Sequence, residues 1–345
     1  MATIYDIARL ANVSAMTVSR VINNTGRVSE KTRVKVKQVM EEMHYIPNSV
    51  ARCLVTQESK VLSLLITDIT NPFFTTIARG AEDAALKHGY RLMFGNSDEN
   101  LLKERQYVEM ILSMRVDGVL FAPSNDMSFD HLQWLERQNV PFVLLDREVP
   151  GIVCDTVLGD SRAGAKQLVR EMIRQGHTRI GLVNGLEHVS TARERRAGYE
   201  DALREAGLPI DEKHIVTASY IKDKQDLILN EWFERAPEER PTAIFAANNM
   251  LALTVFREAR ERGLRVPEDM SIACFDDLGT VENMNSFYSV ASQPAYDFGQ
   301  IGIQLLLDRI RNRNQAPKLV KLPCEIKHGG SVIPYEPTPV AASSM

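Results

Sequence analysis

The side chains able to do chemistry in this 345-residue chain are of a binding type, not a catalytic one. Apolar runs end in polar residues at Asp68, Asp98, Asp146, Asn248 and Asp276, and Arg147 follows Asp146 directly. Carboxylates accept hydrogen bonds, guanidiniums donate in a planar fork, and amides do both. No Gly-x-Ser-x-Gly elbow, Walker lysine or His-Glu-x-x-His stretch occurs, and the seven histidines are scattered. Cys53, Cys154, Cys274 and Cys324 lie far apart without a C-x-x-C pair, which argues against disulfides and structural zinc. The expectation is a binding protein with no enzyme activity, metal or cofactor. A second chemistry sits near the N-terminus. Arg20 can donate two hydrogen bonds to guanine, Ala15 and Met16 can touch thymine methyls, and Tyr5, Ser14, Thr17, Ser19 and Ser29 offer hydroxyls to phosphates.

These residues need elements to position them. Ile4, Ile7, Ala8 and Ala11 form one apolar helical face. Ser14 caps a second helix with a buried stripe of Val18, Val21 and Ile22. Ser29 caps a third, with Val36, Val39, Met40 and Met43 inward and Pro47 as its stop. A short turn at Asn12-Val13 sets the first two helices steeply, so that the second can enter a major groove and present Ala15, Met16, Ser19, Arg20 and Asn23. A generic three-helix bundle has the same pattern. Charge is divided accordingly. Residues 1–60 hold nine Lys/Arg against five Asp/Glu, in a chain of net charge −4, so the remainder carries −8.

From Val61 onward strand-like runs alternate with helical segments. Strands are expected at Leu62–Thr67, Arg91–Gly95, Gly118–Ala122, Phe142–Leu145, Arg179–Val183, Ala243–Ala246 and Ser271–Phe275, with helices at Thr75–His88 and Lys103–Met114. The fold class is α/β: a three-helix headpiece followed by parallel sheets covered by helices. Such sheets bind ligands beyond the carboxyl ends of their strands. With 44% apolar residues the chain suits two or three domains, and no run is long and apolar enough to span a membrane. The Met1–Asp6 start lacks the pattern of a signal peptide, so a cytoplasmic location is expected.

The wording of the segments is more specific than their periodicity. Thr3-Ile4-Tyr5-Asp6-Ile7-Ala8, Val13-Ser14-x-x-Thr17-Val18-Ser19-Arg20-Val21-Ile22-Asn23, Val28-Ser29-x-x-Thr32-Arg33 and Tyr45-Ile46-Pro47-Asn48 closely resemble the headpiece of the lac repressor family. The resemblance implies DNA contacts from Ile4, Tyr5, Ser14, Ala15, Met16, Thr17, Ser19, Arg20, Asn23, Val28 and Ser29. It also implies a hinge from Asn48 through Ala51 to Leu54 that becomes helical on operator DNA and wedges Leu54 into the minor groove. Asn71-Pro72-Phe73-Phe74, Leu145-Asp146-Arg147, Ala192-Arg193-Glu194-Arg195, Ala247-Asn248-Asn249, Phe275-Asp276-Asp277 and Ser292-Gln293-Pro294 resemble the effector domain of that family and the periplasmic ribose-binding proteins. By that resemblance Asn71, Asp146, Arg147, Arg195, Asn248, Asp276 and Gln293 hydrogen-bond a sugar, and Phe73 and Phe74 sandwich its ring. A pyranose suits such a set, since each hydroxyl donates and accepts while its C–H faces are apolar. Taken singly, Asn71-Pro72 is also a helix start, Phe73 and Phe74 core, Asp146-Arg147 a surface ion pair, Arg193, Arg195 and Arg196 a solvated face, and Asp276-Asp277 a turn.

The implied organisation is a headpiece at 1–46, a hinge at 47–60, a two-lobed effector-binding and dimerisation domain at 61–335 and a tail at 336–345. The N-lobe would take about 61–156 and 289–318, the C-lobe about 157–288 and 319–335. Several segments, among them Ile69–Phe74, Ala78–Asp83 and Gln293–Asp297, look like Gram-positive ribose-operon repressors. The implied function is a homodimeric repressor released from a palindromic operator by a monosaccharide, ribose first. The alternatives are a corepressor-type regulator of the same family and a sugar-binding transport protein. Asn249 departs from the family pattern, in which aspartate usually follows the site asparagine.

Overall fold

The computed structural model describes residues 2–45, 58–218, 229–278 and 287–336. Asn48, Ala51 and Leu54, and with them the expected hinge, lie outside the described residues. The chain divides into two compact units, Met1–Lys60 and Val61–Met345.

Among the described residues, the first unit holds three helices, α1 (Ile4–Ala11), α2 (Ala15–Asn23) and α3 (Glu30–Glu42). Each begins at a hydroxyl cap. Thr3 and Asp6 form a capping box, Ser14 accepts from Thr17 N, and Ser29 accepts from Thr32 N. Asn12 and Asn24 close α1 and α2 in the left-handed conformation that asparagine tolerates. Ile7, Ala8, Ala11, Val18, Val21, Val36 and Val39 form the core, with Met40 and Met43 packed against it. The third helix ends at Glu42, before Pro47, because the backbone turns so that Tyr45 N bonds back to Met40 O.

Among the described residues, the second unit contains two six-stranded sheets. The first runs β11-β5-β4-β3-β1-β2, from Leu319–Leu322, Asp155–Gly159, Phe142–Leu145, Gly118–Phe121, Val61–Ile66 and Arg91–Asn96, and all its pairings are parallel. The second runs β12-β10-β9-β8-β6-β7, from Glu325–Lys327, Ser289–Ser292, Ser271–Phe275, Ala243–Ala246, Ile180–Asn184 and Ile215–Thr217, with only the β10–β12 pair antiparallel. The seven expected strands are present. Five more (β5, β7, β10, β11 and β12) were not anticipated, because they are short and, at the sheet edges, only partly buried.

The chain passes between the sheets after β5, after β10 and after β11. This corrects the expected lobe limits. Ser289–Ser292 pairs in the second sheet and Leu319–Leu322 in the first, since each strand completes its ladder before crossing. Helix Ala295–Arg311 returns to the first lobe and lies on helix Pro72–Lys87. There a Cβ at Gly80 would meet Tyr296 O at 2.1 Å and one at Gly299 would meet Ile77 O at 2.2 Å, so only glycines permit the approach. The crossovers adjoin one another: Asp160 N donates to Leu322 O at 2.8 Å, and a Cβ at Gly159 would displace the Gln293 amide, meeting its Oε1 at 1.6 Å.

Candidate functional site

Asp146 and Asp276 stand just past β4 and β9, equivalent strands of the two lobes. Each extends the sheet by one bond, Asp146 N to Val157 O and Asp276 N to Ala291 O, and each then turns at positive φ, 67° and 64°. Left-handed backbone in a non-glycine residue persists where its surroundings over-determine it, and such positions cluster at functional sites.

Around Asp276 the expected residues converge. Gln293 Nε2 donates to its Oδ1 at 2.9 Å and Arg195 Nη2 to its Oδ2 at 3.4 Å. Arg195 also donates to Ala247 O at 2.6 Å and stacks on Phe275, 3.9 Å from the ring centroid. Asp276 is buried. Burial pushes its carboxyl up to about 6, Arg195 and Gln293 hold it down, and the nearby Asp146 adds to the rise. Arg147 forms a bidentate pair with Glu99 at 2.7 and 2.8 Å and lies 3.7 Å from Asp146 Oδ2.

Asn71 and Asn248 sit where two helices begin. Asn71 Oδ1 accepts from Phe73 N at 3.0 Å with Pro72 opening the helix, and Asn248 Oδ1 accepts from Leu251 N at 2.7 Å. The helix-start reading of Asn71-Pro72 is therefore true, and the side chain has a second use. Asn249 Nδ2 donates to Asn71 Oδ1 at 3.0 Å, joining the two lobes directly. All nine expected effector residues are buried.

The expected aromatic sandwich is not formed. Phe73 and Phe74 meet edge to face, 5.2 Å apart at 68°, and Phe73 packs likewise on Phe298. Adjacent residues at the start of a helix point in different directions and cannot make parallel walls. Both rings belong to the core of the first lobe, and Phe73 also lines a cavity of about 270 Å³ with Asp276, Gln293 and Lys327.

Further residues bridge the lobes. Arg193 grips Asp126 through both nitrogens at 2.7 and 3.2 Å, Asp126 N donates to His188 O, and Glu148 N donates to Ser190 Oγ. Arg193 read as a solvated helical arginine in sequence, and only the opposing lobe reveals its role. Asp146 Oδ1, Arg195 Nε, Asn249 Oδ1 and Gln293 Oε1 are buried without a protein partner. Burial pushes the thiols of Cys154 and Cys324 up to about 11 and about 12, which removes thiolate chemistry near neutral pH. No group of three or more potential metal ligands occurs among the described residues.

In the first unit α2 exposes Met16 and Arg20, with Ser19 and Asn23 half-buried and joined by a hydrogen bond. Tyr5, Ser14 and Ser29 are exposed, and Ile4, Thr17 and Val28 half-buried. Ala15 is less outward than expected, because it packs against the small core.

Comparison with known proteins agrees with both units. Residues 3–48 match the profile described as bacterial regulatory proteins, lacI family, and residues 59–328 match periplasmic binding proteins and sugar binding domain of LacI family. The ribose operon repressor of Bacillus subtilis is 39% identical over 324 residues, covering 94% of this chain and 96% of that protein. The lac repressor dimer bound to operator and an anti-inducer superposes with a TM-score of 0.76 at 25% identity, over 96% of this chain and 99% of that one. A LacI family regulator from Enterococcus faecium with bound ribose gives 0.69 at 28% identity, over 80% of this chain and 100% of that one. This chain belongs to the LacI family of bacterial regulatory proteins, as a DNA-binding transcription repressor with a sugar-binding domain.

Proposed function

We propose that this repressor, as a cytoplasmic homodimer, holds a pseudo-palindromic operator of a sugar-utilisation operon and releases it when a monosaccharide, ribose foremost, binds between the lobes. The observation that carries the reading is the set of buried polar atoms without protein partners on residues around Asp276 and at the Asn71–Asn249 contact. Three acceptors (Asp146 Oδ1, Asn249 Oδ1 and Gln293 Oε1) and one donor (Arg195 Nε) complement hydroxyls that both donate and accept. A ligand lacking those hydroxyls would leave buried groups unpaired, which is the basis of discrimination. The choice of ribose is supported by the 39% identity to a ribose operon repressor and by the likeness to a regulator with bound ribose.

In this reading residues 1–46 read the operator, with Arg20 and Met16 on base edges and Tyr5, Ser14, Thr17 and Ser29 on phosphates. Residues 47–60 form the hinge, with Asn48, Ala51 and Leu54 at the minor groove, and residues 61–335 bind the effector and dimerise. Effector and operator then oppose each other by linkage, so each must weaken the other by the same factor.

The test is a thermal-shift screen of the purified chain against monosaccharides and sugar phosphates, repeated with operator DNA present. Ribose should raise the melting temperature and lower operator affinity. No stabilisation by any monosaccharide would overturn the effector reading, and tighter operator binding with ribose would make the sugar a corepressor.

A further inference from the structure

Arg147 does not stand alone in the cleft. Its Nη1 donates to Glu99 Oε2 at 2.8 Å, to Ser124 O at 2.7 Å and to Pro123 O at 3.1 Å, and its Nη2 donates to Glu99 Oε1 at 2.7 Å. The carboxylate and guanidinium are both largely buried, with side-chain exposures of 13% and 5%. Behind them a second carboxylate fixes the frame. Glu104, fully buried, accepts from Ser124 N at 2.8 Å and meets His131 Nδ1 at 2.6 Å, while Ser124 Oγ bonds Ser97 Oγ at 3.1 Å. Asp98 and Glu99 are both held at φ 52°, an unfavourable backbone for two consecutive non-glycine residues.

We propose that Glu99 sets the charge specificity of the effector cleft: by neutralising Arg147 it makes the site accept an uncharged polyol and refuse an anionic one. The inference rests on the effector reading above and narrows it to neutral sugars. A guanidinium already bound bidentately by a carboxylate carries no uncompensated charge for a phosphate or carboxylate ligand. An anion placed there would face Glu99, Asp146 and Asp276 in a buried setting where unpaired charge is costly, while the other cations at hand, Arg195 and Lys327, are paired with Asp276 and Asp277. A neutral hydroxyl meets no such opposition. Glu99 acts through Arg147 and is a positioning residue. It carries no sequence motif, and only the fold brings it 48 residues along the chain to its partner.

The experiment is isothermal titration of the full chain with D-ribose, D-ribonate and D-ribose 5-phosphate. The wild type is compared with Glu99→Gln, Glu99→Asp and the double variant Glu99→Gln/Arg147→Ala. The wild type should bind ribose and hold either anion at least about thirtyfold more weakly. Glu99→Gln should shrink that ratio by about tenfold or more through tighter anion binding. Glu99→Asp should keep the wild-type ratio, and the double variant should lose the anion gain. Ribose binding with an unchanged ratio in Glu99→Gln, or equal weakening of all three ligands, would overturn this inference alone. So would equal wild-type affinity for ribose and an anion, a result that needs no variant to fold. A wild type that binds no neutral sugar would overturn the effector reading and this inference with it.

Discussion

Asp276 joins burial to pH dependence. Its carboxyl is pushed up to about 6 chiefly because burial disfavours the charged form, and Arg195 only partly offsets this. Its folded value lies above the ordinary 3.8, so the folded chain holds the proton more tightly. The group therefore favours folding at low pH, and that contribution is lost as pH rises through about 6. A sugar hydroxyl donating to the ionised carboxylate reverses the dependence for binding. Ribose affinity should be about tenfold lower at pH 5 than at pH 7.5, a slope that calorimetry should find flattened in Asp276→Asn. Arg195→Ala removes the charged donor beside Asp276. Effector affinity should fall about 10- to 100-fold while operator affinity without sugar, measured by fluorescence anisotropy, stays unchanged. A wild-type response to sugar in that variant would sink the site assignment.

At the scale of elements, much was legible because helix starts are local. Ser14, Ser29 and Asn71 cap the helices they precede, as read from sequence, and the structure adds Thr3 and Asn248, since a cap needs only its own next three residues. Ser14→Ala should accordingly cost about 1 kcal/mol of headpiece stability in thermal unfolding. Met16, 65% exposed, is the large apolar side chain that α2 offers to a groove. Replacing it should change the preferred half-site in a binding selection, whereas an unchanged profile would reject its role. The edge strands were illegible for the opposite reason. A strand of three to five residues with one face wet has little pattern of its own and exists through its partner.

At the scale of the molecule, the lobes are held by Asp126–Arg193, Glu148–Ser190 and Asn71–Asn249. The Arg193 pair is partly exposed, 37% and 26%, so its worth is modest. Arg193→Ala should weaken ribose two- to fivefold, about the scale of an exposed ion pair, mainly through faster dissociation in stopped-flow measurement. The departure at Asn249 acquires a meaning here. Its amide donates to Asn71 Oδ1, which an ionised aspartate cannot do.

The sequence by itself determined the helical headpiece, the alternating α/β body and the identity of the polar residues at strand ends, because caps, periodicity and strand termini are properties of neighbouring residues. Tertiary structure alone decided which of those residues meet. Arg195 with Asp276, Asn249 with Asn71, and Arg147 with Glu99 are pairs separated by 81, 178 and 48 residues. No local spacing encodes such pairs. They arise because strands end together on one side of each sheet and the chain crosses between sheets three times.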